Sequence, residues 1–545
     1  VTVRLDLASR ERVRRPRRSV TTMQAHDLLA LVIVLLAVIP VLYLVWRAAE
    51  GGERTLTTLM HPRTGQLLLR SVGLAAAVAG TSVVVALPLA FLTERVAVPG
   101  RRWIGVLVAL PLAVPSYLTA YAVVAAFGPR GALASLLDRW VGSFRLPEVY
   151  GFFGAWLTLT LVTYPYSYLA VRAALRGLDP AFEEVARTLG TGRWIRFWRV
   201  TVPLLGPAVM SGMLLAALYT LSDFGAIAIL RYPTLTYSVY NQYRLSFDRS
   251  AAAGLALLLV SVAVMLALAA REWQRRVAFY RTVGVRRPQA ALRLRWWGWL
   301  LVLASSVFPT LALGLPVGMA LYWFARARAI GEVLPSVGEP LVNTLWVGLL
   351  AGAVTVAAAF PVSRSVVRGR RRLATMLDVP LWIAYGLPGI VLALALVSVS
   401  VRFAPWLYQT IPLLIFGYTL RFLSEAVGTL RGTLVQQNPR LEEAARTLGM
   451  RPWQVWVKVQ LPLTVPGLVN AYAAVFLTTV KELPVTLLLS PIDFRTLSTT
   501  VWNATADAFW SHAALPALLL LGVGVAPMGL LGWWQERAEG RSGIQ

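Results

Sequence analysis

The chain has 545 residues, of which 57% are apolar and only 14% charged, and its mean hydropathy is +0.64. A soluble chain of this length would carry about 25% charged residues. No cysteine is present, which excludes disulfides, Fe–S ligation and Cys-based zinc sites, and the three histidines (His26, His61, His512) are too scattered for metal-site spacing. The net charge of +27 would by itself suggest a nucleic-acid partner. Here, however, the cations are bunched between apolar stretches long enough to cross a bilayer. The expected class is an all-α polytopic membrane protein with no nucleic-acid partner and lipid as its surroundings.

Taken in chain order, twelve windows of about twenty residues read as spans. They are 28–46, 69–92, 104–127, 151–171, 203–230, 251–270, 297–323, 343–363, 379–400, 410–428, 462–489 and 513–534. The first does not read as a cleavable signal, because its apolar run is too long and no small-x-small site precedes Trp46–Arg47. Fifty of the 52 cations are arginine. With the N-terminus in the cytoplasm, the inside segments hold 36 cations and the outside segments 14, counting Arg70 at the outer end of the second span, while Arg421 and Lys481 fall within spans. The positive-inside rule therefore places both termini in the cytoplasm. Arg14–Arg18 and Arg368–Arg372 read as topology anchors facing anionic lipid.

The chain repeats at an offset of 259 residues. Residues 180–207 read PAFEEVARTLGTGRWIRFWRVTVPLLGP, and residues 439–466 read PRLEEAARTLGMRPWQVWVKVQLPLTVP. The repeat implies two pseudo-symmetric six-helix halves. Their expected limits are a basic cytoplasmic segment 1–27, a first half 28–280, a cytoplasmic connector 281–296, a second half 297–534 and a cytoplasmic tail 535–545. Each half begins inside and has an even number of spans, so the repeat is parallel, with its pseudo-axis along the membrane normal. Each motif copy reads as a short helix entered near Pro180 or Pro439, with acids in its first turn and Gly190 or Gly449 as its stop. A second short amphipathic piece with Trp194 or Trp453 follows, then the proline that opens the next span. Two copies with the same Ala, Arg and Gly suggest an exposed docking surface for a two-fold partner rather than two solvated loops.

Glu184–Val185–Ala186, Gly190 and Val200–Thr201–Val202–Pro203 resemble the EAA loop of the membrane subunits of binding-protein-dependent ABC importers, with Val in place of the first Ala. Glu443–Ala444–Ala445, Gly449 and Val459–Gln460–Leu461–Pro462 resemble it throughout. The resemblance implies a type I importer permease fold in an inner membrane. It also implies that Glu183, Glu184, Ala186, Gly190, Glu442, Glu443, Ala445 and Gly449 form coupling helices seated in two copies of a cytoplasmic ATPase. Residues 222–243 and 481–505, with Leu110–Ser116 and Gly386–Gly389, are similar to ferric-iron importer permeases; thiamine importer permeases share the fused layout. The substrate would then come from an external solute-binding protein. No G-x-x-x-x-G-K-[ST] loop occurs in these residues. This chain is therefore expected to bind no cofactor and to be no enzyme, with ATP used by the partner subunits.

Charges inside spans need a reason. Asp223 matches Glu482 at the repeat offset, about twenty residues beyond the loop proline, which places both near the outer mouth. Gly225 and Pro484 follow and suggest broken helices facing a cavity. One reading makes Asp223 and Glu482 an acidic path for a trivalent cation, which hard oxygen ligands suit. The other makes Lys481 the counter-ion of Glu482 and Asp223 the cap of a helix break. Arg421 and Glu425, at i and i+4, are expected to pair. Tyr232, Tyr237, Tyr240 and Tyr243 read either as transient phenolate ligands or as an interfacial aromatic belt, and Trp296, Trp297 and Trp299 as belt residues. No firm metal site is expected. An ion-coupled secondary transporter would also show a parallel two-half repeat, but the duplicated cytoplasmic loop argues against it. A membrane enzyme lacks any His or Cys constellation.

Overall fold

A computed structural model describes residues 25–98, 100–128, 131–132, 148–244, 248–278, 298–438 and 440–542. Arg14–Arg18, the connector 281–296, Trp296, Trp297 and Pro439 lie outside the described residues. The first half contributes α1 (Ala25–Glu50), α2 (Gly52–Met60), α3 (Pro62–Arg95), α4 (Arg101–Ala109), α5 (Ser116–Phe127), α6 (Phe152–Gly177), α7 (Pro180–Thr188), α8 (Val202–Ser222), α9 (Gly225–Ile229), α10 (Leu235–Arg244) and α11 (Arg249–Ala278). The second contributes α12 (Gly298–Ala329), α13 (Gly338–Arg368), α14 (Arg371–Gly386), α15 (Gly389–Phe403), α16 (Ile411–Gln436), α17 (Arg440–Thr447), α18 (Leu461–Val480), α19 (Pro484–Leu489), α20 (Leu497–Ala506) and α21 (Trp510–Ser542). The described chain is a helical membrane protein.

Among the described residues nine helices are long and apolar enough to span a bilayer, and two bent pairs raise the number to eleven. The predicted span 151–171 corresponds to α6, which is 26 residues long but carries Thr158, Thr160, Thr163, Tyr164, Tyr166, Ser167 and Tyr168. Those side chains make it the least lipid-like of the set. They turn inward, since Thr163, Tyr164, Ser167 and Tyr168 have no exposed surface.

Two predicted spans are not straight. The 104–127 window bends by 94° between Ala113 and Ser116, and the 379–400 window by 104° between Gly386 and Gly389. Pro115 and Pro388 cause both bends. A residue before proline is driven out of the helical region, and Val114 (ψ 124°) and Leu387 (ψ 117°) are extended accordingly. Bending frees backbone carbonyls at membrane depth, where something must satisfy them.

Each half is built on a three-helix core: α3, α6 and α8 in the first, α13, α16 and α18 in the second. Close approach needs small residues. At Gly212 of α8, an added Cβ would stand 2.5 Å from Ser167 Cα on α6. Ser82 and Thr163 share a hydrogen bond of 3.0 Å between α3 and α6, and Thr355 and Thr419 one of 3.5 Å between α13 and α16. The first helix of each half then crosses to the other. α1 packs on α13, α14 and α15, with Ser365 Oγ donating to Asp27 Oδ1 at 2.7 Å, while α12 packs on α5, α3 and α6. The repeat in sequence is therefore not a pair of separate packing units.

Candidate translocation site

The two motif copies fold alike. α7 is N-capped by Asp179, whose carboxylate accepts from Ala181 N at 2.9 Å. It ends at Gly190 in the left-handed region (φ +75°), with Gly190 N donating to Arg187 O and Thr191 N to Ala186 O. α17 ends the same way at Gly449 (φ +81°), with Met450 N donating to Ala445 O. Both follow the Schellman pattern, in which only glycine takes the left-handed position without strain. The second amphipathic pieces, Arg193–Arg196 and Pro452–Val455, run through π-helical turns Phe197–Thr201 and Trp456–Gln460 directly into α8 and α18. Pro203 and Pro462 explain the wide turn, because neither can donate the backbone bond that a tighter helix requires at that point.

Within each motif the two glutamates face opposite ways. Glu183 Oε1 lies 3.5 Å from Arg95 Nη2 and accepts from Thr201 Oγ1 at 3.2 Å. Glu442 Oε1 accepts from Arg446 Nη2 at 2.7 Å and lies 3.8 Å from Arg364 Nη2, while Arg364 Nη1 donates to Gln460 Oε1 at 2.5 Å. These first glutamates fasten the short helix to the core of their own half. Ala186 and Ala445 are 7% and 6% exposed, so the alanines expected on an outward face pack inward instead, where a larger side chain would lift the helix. The outward face consists of Glu184, Val185 and Leu189 in one copy and Glu443, Ala444 and Leu448 in the other. Leu189 and Leu448 are 77% and 79% exposed.

The breaks meet at the centre of the molecule. Pro115, Ser116, Tyr117, Tyr166, Tyr219, Asp223, Tyr385, Gly389, Arg421, Glu425, Lys481 and Glu482 line a cavity of about 180 Å³ between the halves. α8 ends at Ser222 and α9 begins at Gly225, and α18 ends at Val480 with α19 beginning at Pro484, so both helices break where expected. The carboxylates do not lie near the outer mouth, however. They share the cavity with Tyr166, midway along α6, and with Arg421 and Glu425, midway along α16. α8 and α18 stop at the cavity, and each is followed across the break by short helices, α9–α10 and α19–α20.

Asp223 caps α9. Its Oδ1 accepts from Ala226 N at 3.0 Å, and Oδ2 accepts a short hydrogen bond from Ser116 Oγ. Glu482 occupies the matching position before α19 and is held by a backbone hydrogen bond from Val485. Its Oε1, though buried, has no hydrogen-bond partner among the described residues. The cations answer the freed carbonyls. Arg421 Nη1 donates to Leu387 O at 2.8 Å, at the second bend. Lys481 Nζ donates to Leu112 O at 2.6 Å, at the first bend and across the halves. Neither expected ion pair closes within 4.0 Å: Arg421 is not bridged to Glu425, nor Lys481 to Glu482. A carbonyl left unpaired in an apolar setting competes successfully for the nearest cation.

The outer tyrosines do not converge. Tyr232 stands edge-on to Phe152, Tyr240 packs on Phe224 with centroids 4.7 Å apart, and Tyr243 lies under the Arg249 guanidinium. Tyr237 packs against the apolar core. The cavity tyrosines are instead Tyr117, Tyr166, Tyr219 and Tyr385. The repeat offset carried part of that signal, since Tyr166 corresponds to Glu425 and Tyr219 to Thr478. Trp299 is exposed on α12. No cluster of three or more His, Cys, Asp and Glu suited to chelating a metal occurs among the described residues.

A family model described as "Binding-protein-dependent transport system inner membrane component" matches residues 82–278 and again 290–539. The chain is 33% identical over 517 residues to the Fe(3+)-transport system permease protein FbpB 2 of Haemophilus influenzae, covering 92% of this chain and 97% of that one. It is 25% identical over 485 residues to the probable ABC transporter permease protein y4fN of Sinorhizobium fredii, covering 83% and 84%. The molybdenum transport system permease protein ModB of Escherichia coli is 31% identical over 195 residues, covering 35% of this chain and 83% of that one. Two family matches in tandem, two equivalent motif loops on one helical frame and a cavity where the two sets of breaks meet have one common account: this chain belongs to the inner membrane components of binding-protein-dependent transport systems, with both halves of the permease in one polypeptide.

Proposed function

We propose that the chain is the translocation subunit of an ATP-driven importer of ferric iron, which receives its cargo from an external solute-binding protein. The relationship that carries this reading is the 33% identity to a permease named for Fe(3+) transport, extending over nearly the whole of both chains. The cavity supports it: Glu425, Glu482 and four phenols suit a hard cation, and both cavity cations are already bonded to backbone carbonyls. Two copies of a cytoplasmic ATPase seat on the outward faces of α7 and α17, one per loop. The arginine distribution supports cytoplasmic termini, with lipid headgroups against the basic segments. Nucleotide-driven closure of the ATPase pair moves α7 and α17 as levers on α8 and α18. Those two helices end at the cavity, so their movement alternates its access.

A second reading, an oxyanion or other small-solute importer, is favoured by Arg421 and Lys481 in the cavity wall and by the relative named for molybdenum transport. Uptake of labelled ferric iron, molybdate and thiamine in cells lacking the gene, with and without the chain, separates these readings. Restored iron uptake alone is the expected result. The double variant Glu184→Lys/Glu443→Lys should insert normally and lose uptake. Undiminished uptake in that variant would overturn the lever mechanism.

A further inference from the structure

The two halves offer the cavity pseudo-equivalent carboxylates in unequal states. Asp223 and Glu482 correspond at the 259-residue offset, and each is held from behind by a backbone N–H of the short helix that follows. The residue facing each from the opposite break also corresponds, being the first after the bend proline: Ser116 after Pro115 and Gly389 after Pro388. In the first half the Ser116 hydroxyl fills this place and donates to Asp223 Oδ2. In the second half there is no side chain. A Cβ built on Gly389 would stand 2.7 Å from Glu482 Oε1 and 3.4 Å from Arg421 Nε. Those two atoms, one from each group, lack hydrogen-bond partners among the described residues. The first half has therefore satisfied its acid internally, and in the second the Gly389 backbone packs directly against an unsatisfied oxygen, with no room for a side chain there. A buried acceptor without a donor is costly, and a position that keeps one calls for a reason.

We propose that Glu482 is the carboxylate that meets the passing cation, through the Oε1 that Gly389 leaves without a donor, and that Asp223 is a structural cap that does not touch the cargo. This rests on the importer reading above and names the contact within it. One free carboxylate oxygen, rather than a chelating cluster, is what a transported ion needs. Its site must be favourable enough to enter and weak enough to leave, in keeping with the lack of a chelating cluster among the described residues.

A side chain at position 389 would press on Glu482 Oε1 and move it from its place. The test uses the full transporter, with its ATPase and binding protein, in proteoliposomes supplied with labelled ferric iron on the binding protein. Glu482→Gln and Gly389→Ser should each lower uptake by about tenfold, the loss of one charged contact, and Glu482→Gln should do so without lowering the thermal unfolding midpoint. Glu482→Asp should recover a large part of that uptake. Asp223→Asn should lower the unfolding midpoint while uptake per folded transporter stays within about threefold of the parent, since only the cap is weakened. Normal uptake in both Glu482→Gln and Gly389→Ser, or abolished uptake in a well-folded Asp223→Asn, overturns the proposal even though the parent imports iron. If the parent itself fails to import iron and imports an oxyanion, the functional reading falls and this inference falls with it.

Discussion

Replacing Arg364 with methionine keeps its aliphatic bulk and removes its charge. Its guanidinium is 19% exposed and joins two parts of the transmission path: Gln460 Oε1 in the π-helical turn, at 2.5 Å, and Glu442 Oε1 of α17, at 3.8 Å. Arg446 would remain on Glu442, but it is 53% exposed and sits at i+4 on the same helix. A pair of that kind contributes about 0.3–0.5 kcal/mol and fixes nothing outside its own helix. A hydrogen bond to a charged group contributes about 1.5–3 kcal/mol when partly shielded. Taking about 2 kcal/mol for the lost contacts, the ratio of docked to undocked α17 falls by about thirtyfold. The lever then slips on its fulcrum: ATP is still hydrolysed, and less motion reaches α18. The assay is substrate imported per ATP hydrolysed in proteoliposomes, measured alongside association of the ATPase. We expect the ratio to fall several-fold with association intact. An unchanged ratio in a well-folded Arg364→Met protein would refute the view that Glu442 anchors the loop through α13.

Two further substitutions probe backbone geometry. Gly212→Ala should destabilise the first half by about 1–3 kcal/mol through overpacking, since its Cβ would meet Ser167 Cα at 2.5 Å. Gly206→Ala, with nothing within 4 Å of the new Cβ, serves as the control, and equal thermal unfolding midpoints for the two would contradict the close packing of α6 and α8. Gly190→Ala and Gly449→Ala place a Cβ at φ +75° and +81°, a strain of about 1–2 kcal/mol each. Both should reduce uptake per ATP with little change in expression, and full coupling in the double variant would show that the helix stop is dispensable.

Much of this architecture could be read from one sequence because lipid imposes few solutions. A bilayer demands apolar runs of a fixed length and internally satisfied backbone. Runs, arginine clusters and the repeat offset therefore delivered the helical class and both loops, and Gly190 and Gly449 announced the helix stops. Helix direction within the loops was another matter. Glu183 and Glu184 are adjacent and chemically alike, and only the placement of Arg95 and Thr201 turns the first inward and leaves the second outward. Cavity depth likewise needed the fold. Residue counts assume straight rods, whereas Pro115 and Pro388 bend two spans, and α8 and α18 end where those bends line the cavity.

The sequence alone thus determined which segments enter the membrane and that the chain is built twice from one plan, because hydrophobic length and repetition are local properties. Tertiary structure alone decided which groups are left over. Arg421 and Lys481 turn from the nearby acids to freed carbonyls, Asp223 finds Ser116, and Glu482 finds a glycine. Those outcomes depend on which broken helix faces which across the pseudo-axis. In a low-dielectric interior the nearest hydrogen-bond partner, not the nearest residue in sequence, settles where each charge goes.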